Sequence, residues 1–239
     1  HEKGIEPYPS KFDKRETISE CVGTKIGTKV KTAGKIMMKR DLGKIVFAKL
    51  KDSTGEIQLI LQENESSDEI RDFFKRYVDT GDVFGTEGIV LKSKTGEISI
   101  MVKKGEILSK SVLPLPEKFH GLQNEEEILR KRYLDILMNP ETKELFEKKA
   151  KFWRTVRNFL SEKGFMEVET PVLENSAGGA SAKPFFTHHN ALDIDVVLRI
   201  SGGELWQKKL MVAGYEKTFE IGRIFRNEGM DMEHLQDYT

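Results

Sequence analysis

Apolar and polar residues alternate through the first hundred positions in short runs: VKTAGKIMM, KIVFAKL, EIQLIL, DVFGTEGIVLK and EISIMV. Turn signals such as KDSTG and SKTG stand between them, and period-two alternation bounded in this way predicts strands. Five fit between Thr28 and Lys104. One run breaks the rhythm. In DEIRDFFKRYV the residues Ile70, Phe73, Phe74 and Tyr77 recur at helical spacing, which predicts a helix whose apolar stripe plugs one face of the sheet.

Five short strands with a helix between the third and fourth is the layout of a small Greek-key barrel of the OB type. Alternation by itself leaves other small barrels and sheets open.

Beyond the strands, SVLPLPEKFHGLQNEEE carries alternate prolines, a glycine and an acidic run, and reads as an extended linker. A long helix is expected to follow, with Asn139 at its cap and Pro140 at its first position, where the missing N–H costs nothing. Phe146, Ala150, Trp153, Val156 and Leu160 then recur every three to four residues until Gly164, predicting one buried face. After it come strand-like FMEVE, the proline of TPVL, a small-residue loop NSAGGASA, and strands around DIDVVLRI and TFEIGRIF separated by a helical ELWQKKLMVAGY. No internal repeat or low-complexity tract is visible. The expected division is 1–27 as an N-terminal extension, 28–108 as the barrel, 109–138 as the linker and 139–239 as a second domain.

A length of 239 residues agrees with two folding units. Thirty-nine basic and 39 acidic side chains cancel, so bulk charge announces no polyanionic partner. Locally, Lys29, Lys31, Lys35, Lys39, Arg40, Lys44, Lys49 and Lys51 stand against Asp41 alone, either a basic binding surface or a solvated edge. The single Cys21 excludes an internal disulfide, no Cys/His spacing resembles a zinc site, and no metal ligand set is expected in this chain. With no apolar run long enough to span a bilayer and no signal-peptide order at the start, a soluble cytoplasmic protein without a membrane partner is the expectation.

Candidate chemistry concentrates in FRNEGMDMEH. A strand ending in Arg226 and Glu228, then Gly229, then a polar loop with Asp231, Glu233 and His234, then extended HLQDYT, predicts an antiparallel hairpin with a charged tip. A solvated turn would account for it. So would a ligand: the planar fork of Arg226 suits a phosphate, and Glu228 suits an exocyclic amine such as that of adenine.

A long helix running into GFMEVETPVL, a glycine-rich loop, and then FEIGRIFRNEG resembles motif 1 followed by motif 2 of the class II aminoacyl-tRNA synthetases. Within that class KFHGLQ, RKRYLDI, GGASAKPFFTHHNALDIDVVLRI and ELWQKKLMVAGYEKTFEIGRIFRNEG resemble the lysyl-specific family more than its aspartyl and asparaginyl relatives, and the likeness runs from GIEPYP to Thr239. The resemblance implies an α+β protein: a five-stranded OB-type anticodon-binding barrel, then part of a class II antiparallel-sheet catalytic domain that stops after motif 2.

It also implies roles. Arg226 would touch the α-phosphate of ATP, Glu228 would hold the adenine end, and His234 would lie near the γ-phosphate or the tRNA end. Gly178 and Gly179 would bring backbone to the amino group of the lysine substrate, where a Cβ would crowd it. Glu204 aligns with a glutamate that contacts the same amino group, although LRISGGEL stands one residue longer than the family's usual order. Pro171 is expected at the interface of a homodimer built through motif 1. In the barrel, Arg40, Phe47, Gln58 and Glu97 match the positioning, stacking and base-reading positions for a uridine-rich anticodon. Gln58 has support of its own, since between Ile57 and Leu59 it faces outward.

The implied reaction is attack of the lysine carboxylate on the α-phosphate of ATP, followed by transfer to tRNA(Lys). The Mg2+ ligands and motif 3 are expected beyond this chain, so the chain by itself is expected not to form lysyl-adenylate. An aspartyl or asparaginyl synthetase, or a non-catalytic tRNA-binding fragment, are the alternatives.

Overall fold

The computed structural model describes residues 6–13, 15–113, 115–116, 124–229, 231 and 234–239. KFHGLQ, the first residues of GIEPYP, and Glu233 lie outside them. The chain forms two compact units, His1–Met138 and Asn139–Thr239.

In the first unit, α1 (Ile18–Gly23) opens with a capping box: Glu20 N–H donates to Thr17 Oγ1 at 3.2 Å and Thr17 N–H donates to the Glu20 carboxylate at 2.7 Å. The helix buries Ile18 and Cys21 in the barrel core. Of the segment expected as an extension, Phe12, Arg15, Glu16 and α1 are thus built into the barrel. The backbone N–H groups of Arg15 and Glu16 donate to Lys31 O, and the ring of Phe12 occupies the space that a side chain at Gly85 would fill.

Five strands follow: β1 (Lys29–Asp41), β2 (Ile45–Lys51), β3 (Glu56–Gln62), then α2 (Asp68–Tyr77), β4 (Val83–Lys92) and β5 (Ile98–Ser109). The order β1-β2-β3-β5-β4 closes on itself, β4 pairing antiparallel with β1 and β3 parallel with β5. The number of strands and the place of the helix are those that the alternation predicts. Inward side chains recur at every second residue along β2 and β3, Val46, Ala48 and Leu50 lying opposite Leu61, Leu59 and Ile57. Helix α2, capped by Ser67, plugs one end with Ile70 and Phe74, whose ring meets Phe84 edge-on at 5.0 Å.

A β-bulge between Ile36 and Met38 inserts one residue into β1. Inserting one residue swaps the faces that follow it. Ile36 points into the core, yet Lys39 lies opposite inward-facing Ala48, while Met38 and Arg40 face out. The inward Lys39 is not stranded: its Nζ donates to Phe74 O, Lys75 O and Val78 O at 3.1, 2.8 and 2.7 Å, closing the C-terminal end of α2.

The expected linker becomes helical at its acidic run, as α3 (Glu125–Arg130) and α4 (Arg132–Met138). Asn124 caps α3 by accepting from Glu127 N–H at 3.1 Å, and Glu125, Glu126 and Glu127 sit in its first turn. Acidic side chains there complement the helix dipole, so NEEE is a helix start rather than a solvated tether.

In the second unit, α5 (Pro140–Glu162) has Pro140 in its first turn and Gly164 at φ +80° just past its end, as the sequence predicts. Asn139 occupies the cap position without a side-chain cap hydrogen bond. The expected face is only partly covered: Trp153, Val156 and Leu160 are half-buried, Phe146 and Ala150 are exposed, and no α5 residue is fully buried, while Phe152 and Phe159, off that face, are 59 and 56 % exposed. Periodicity reports which face is apolar, not whether the same chain covers it.

Short strands complete this unit: β6 (Met166–Glu167), β7 (Leu173–Glu174), β8 (Phe186–His189), β9 (Ile194–Leu198), then α6 (Glu204–Val212), β10 (Thr218–Phe219), β11 (Ile224–Phe225) and β12 (Asp237–Tyr238). They pair as β7-β9-β8, β10 with β6, and β11 with β12. TFEIGRIF, expected as one strand, is divided between two sheets, with Glu220 turned into the interior at the break. β8, which the sequence reading passed over, forms a hairpin with β9 and pairs His189 with Ile194. Among the described residues of this unit, Val196, Val197 and Ile200 are the buried large apolar ones, and charged Arg199 is buried among them at 2 % exposure.

Candidate functional site

Arg40, Phe47, Gln58 and Glu97 share one outer face of the barrel. Register pairs Arg40 with Phe47, Phe47 with Ile60, Lys49 with Gln58, and Gln58 with Ser99. Arg40 is exposed; Phe47, Gln58 and Glu97 are half-buried. Ser99 Oγ donates to Gln58 Oε1 at 2.9 Å, which leaves the two amide N–H groups of Gln58 as its free directional donors. Glu97 accepts from Lys49 Nζ at 3.0 Å, fixing a carboxylate beside that amide. A flat ring, an exposed guanidinium, an oriented amide and a carboxylate on one twisted sheet surface can stack on an unpaired base and read its edge.

In the second unit, β11 and β12 form the expected hairpin: Ile224 pairs with Tyr238 and Phe225 with Asp237. Arg226, Glu228, Gly229, His234, Leu235 and Tyr238 line a cavity of about 340 Å³. Arg226 N–H donates to Gln236 O at 2.9 Å and its side-chain Nε to Ile200 O at 3.3 Å, while its guanidinium carbon lies 5.8 Å from the centre of the Tyr238 ring. One edge of the fork is anchored and the other is left for a ligand. Glu228 accepts from Lys183 N–H at 3.3 Å, and Asn227 N–H donates to Lys183 O at 2.8 Å, so the loop after Gly179 backs this wall. The His234 ring lies 2.8 Å from the Asp231 carboxylate, which orients it. Tyr238 was not singled out in the sequence; its signal is its register opposite Ile224.

The two glycines of the loop differ. A Cβ at Gly178 would meet nothing within 4 Å, whereas Gly179 has φ +83° and a Cβ there would run into Ser201 Oγ and stand 3.1 Å from Glu204 Oε2. Ser201 Oγ donates to Gly178 O at 3.0 Å, so the loop rests on the segment just before α6. Glu204 is exposed, and the hydrogen bond from Lys208 Nζ at 2.8 Å holds its carboxyl below the usual carboxylate range. Pro171 and Gly178 line a second cavity of about 310 Å³ with Glu174, Ser201, Trp206 and Lys209. Desolvation raises the Glu174 carboxyl above its ordinary value against the opposing pull of Arg199 and Lys209.

The second unit also holds a buried polar network that sequence reasoning missed. Arg199 NH1 donates to Glu220 Oε1 at 2.6 Å and to Thr170 Oγ1 at 3.0 Å, Arg199 Nε donates to Arg223 O at 2.7 Å, and Thr170 Oγ1 donates to Glu220 Oε2 at 2.7 Å. The arginine in LRI and the glutamate in FEI sit in apolar strand-like runs, a pattern that could have marked them as partners. Among the described residues, no group of three or more His, Cys, Asp or Glu is placed to hold a metal ion.

Residues 124–239 match the family described as tRNA synthetases class II (D, K and N), and residues 30–108 match the OB-fold nucleic acid binding domain. Among curated proteins the chain is 46% identical over 241 residues to a lysine–tRNA ligase of Pelotomaculum thermopropionicum, covering 100% of this chain and 47% of the relative. It is likewise 46% identical over 245 residues to a lysine–tRNA ligase of Methanoculleus marisnigri, covering 100% of this chain and 48% of the relative. With a lysine–tRNA ligase of Lactococcus lactis subsp. cremoris the identity is 45% over 249 residues, or 50% of that protein. The chain spans about half the length of the curated relatives it matches.

Proposed function

We propose that this chain, whose residues 124–239 match the class II tRNA synthetases of the D, K and N type, serves lysine–tRNA ligation, the barrel reading the anticodon of tRNA(Lys) and the β11–β12 hairpin binding ATP. The observation that carries the reading is the convergence of Arg226, Glu228, His234 and Tyr238 on one cavity.

The chemistry divides among them. The lysine carboxylate attacks the α-phosphorus, an O–P bond forms, and the bond to pyrophosphate breaks, with its electron pair leaving on pyrophosphate. The free edge of Arg226 faces the charge that builds on the α-phosphate oxygens, and such fixed cations with substrate positioning supply most of the rate in phosphoryl and nucleotidyl transfer. Glu228 accepts from the adenine amine, the Tyr238 ring offers a face for the base, and His234 lies toward the far phosphates or the tRNA end. Gly178, Gly179 and Glu204 would meet the lysine amino group at the other edge of the loop. Mg2+ serves this family's chemistry, but the described residues do not form a site for it, and no step here passes through it.

One further partner follows from the same reading. The exposed apolar side chains of α5, with Pro171 nearby in sequence on an exposed stretch, support a homodimer formed through motif 1. No helix among the described residues is long and apolar enough to cross a membrane. The reading is tested by titrating this chain with ATP and comparing Arg226→Ala. Saturable binding weakened about 10- to 100-fold by the substitution is expected from loss of a charge-assisted contact; equal binding by both proteins would remove the ATP assignment.

A further inference from the structure

We propose that Arg199 and Glu220, bridged by Thr170, form a buried positioning pair that sets the orientation of the Arg226 guanidinium. The proposal rests on the reading of Arg226 as the phosphate-binding group. The pair lies in the interior, with side chains 3 and 5 % exposed. A buried ion pair of this kind adds little net stability over an apolar pair of the same volume, so its retention calls for another reason.

The reason lies in what Arg199 joins. Its backbone N–H donates to Val172 O at 2.9 Å, its carbonyl accepts from Phe225 N–H at 3.0 Å, and its side chain grips Thr170, Glu220 and Arg223 O. The next residue, Ile200, offers the carbonyl that Arg226 Nε meets at 3.3 Å. Movement of Arg199 therefore moves the acceptor of Arg226 and the strand that carries it together. Two glycines are shaped to this arrangement. A side chain at Gly222 would strike the Arg199 guanidinium, and at Gly203, with φ +72°, a Cβ would lie 2.5 Å from Thr170 Oγ1 and 3.0 Å from Glu220 Oε2. Gly203 is the N-cap of α6, so the network also fixes where Glu204 begins that helix. Lysine at 199 could keep the ion pair but not the planar fork that spans three chain segments.

The test uses this chain carrying Arg199→Met together with Glu220→Leu, which removes both charges and leaves no uncompensated ion. Thr170→Val serves as a milder second variant should the double replacement not fold. Two signals are followed: ATP affinity, and solvent exchange of the Arg226 side-chain Nε–H by nitrogen-edited NMR. ATP affinity is expected to fall about 5- to 100-fold in the folded double replacement, with no further loss on adding Arg226→Ala, because coupled residues are non-additive. Undiminished ATP affinity, or a loss that adds in full to that of Arg226→Ala, would overturn the proposal. If Arg226→Ala itself leaves ATP binding unchanged, the ATP reading fails while the positioning claim is still decided by NMR. Faster exchange of the Arg226 Nε–H in either variant supports it, and unchanged exchange sinks it.

Discussion

Arg40 and Phe47 stand opposite one another on the outer face of the barrel, and the bulge between Ile36 and Met38 puts them there. If β1 ran on from Ile36 without the bulge, its parity would turn Arg40 toward the core and bring Lys39 out opposite Phe47. Phe47 is half-buried on this outer face, so its removal should leave the barrel folded. Phe47→Ala is expected to weaken binding of a tRNA with a lysine anticodon by about 1–3 kcal/mol, the usual cost of losing one base–aromatic stack. Filter binding at fixed salt measures this, since phosphate contacts otherwise dominate affinity. An unchanged affinity would move RNA recognition off this face.

Gln58 carries the second prediction. With its oxygen held by Ser99 Oγ, its donors are what a base edge meets. Gln58→Glu replaces those donors with acceptors and adds a charge to the one on Glu97. The preference for uridine at the central anticodon position should therefore drop toward unity, by about 1–3 kcal/mol of lost discrimination. Competition between two tRNAs that differ only at that base decides it; a retained preference would mean that Gln58 does not read the base.

Gly178 and Gly179 looked equivalent in sequence, and the backbone separates them. Gly179→Ala places a Cβ against Ser201 at a positive φ, and should destabilise the second unit by about 1–3 kcal/mol. Gly178→Ala meets open space and should leave the melting temperature unchanged. Thermal melts of the two variants are the check, and equal effects would show that the loop does not rest on Ser201.

The barrel was legible because its strands carry alternating runs and the core lies inside one closed sheet, so over most of their length period two maps onto inside and outside. Lys39 and Arg40 mark where that ended: one inserted residue exchanges their faces, and KIMMKRD gives no sign of it. In the second unit the strands are two to five residues long, too short for alternation to assign a face. The hairpin of Arg226 was still readable, because its charge interrupts an apolar run. Arg199 and Glu220 left only a hint, a charge in each of two apolar runs, since their pairing depends on contacts between segments 21 residues apart.

Lys39 supplies a prediction from the same bulge. Burial lowers the pKa of its ammonium against the raising influence of Asp79 and Asp41, yet it serves three carbonyls at the end of α2. Lys39→Met keeps an apolar stem but removes the charged donor from the three carbonyls, of which Phe74 O retains the Val78 N–H at 3.3 Å. A loss of about 1.5–3 kcal/mol is expected for removing hydrogen bonds to a charged donor. Urea unfolding of the barrel unit measures it, and a neutral substitution would mean that water serves the helix end equally well.

Glu174 gives the prediction with a pH signature. Desolvation raises its folded pKa above the ordinary 4.5 despite the nearby positive charges of Arg199 and Lys209. For an acid shifted this way the fold favours the protonated form, so its contribution is fully present below about pH 4.5 and is lost as pH rises through the folded value. Near pH 7 the buried-side carboxylate is a burden that the unfolded chain does not carry. Glu174→Gln removes the charge while keeping size and a hydrogen-bonding end. The variant should match the parent near pH 4 and melt at a higher temperature near pH 7, the gap opening across the interval above pH 4.5. Paired melts at those two pH values settle the sign. A gap that is the same at both, or a variant less stable near pH 7, would mean that the carboxylate is well solvated or well paired in the cavity beside Ser201 and Trp206.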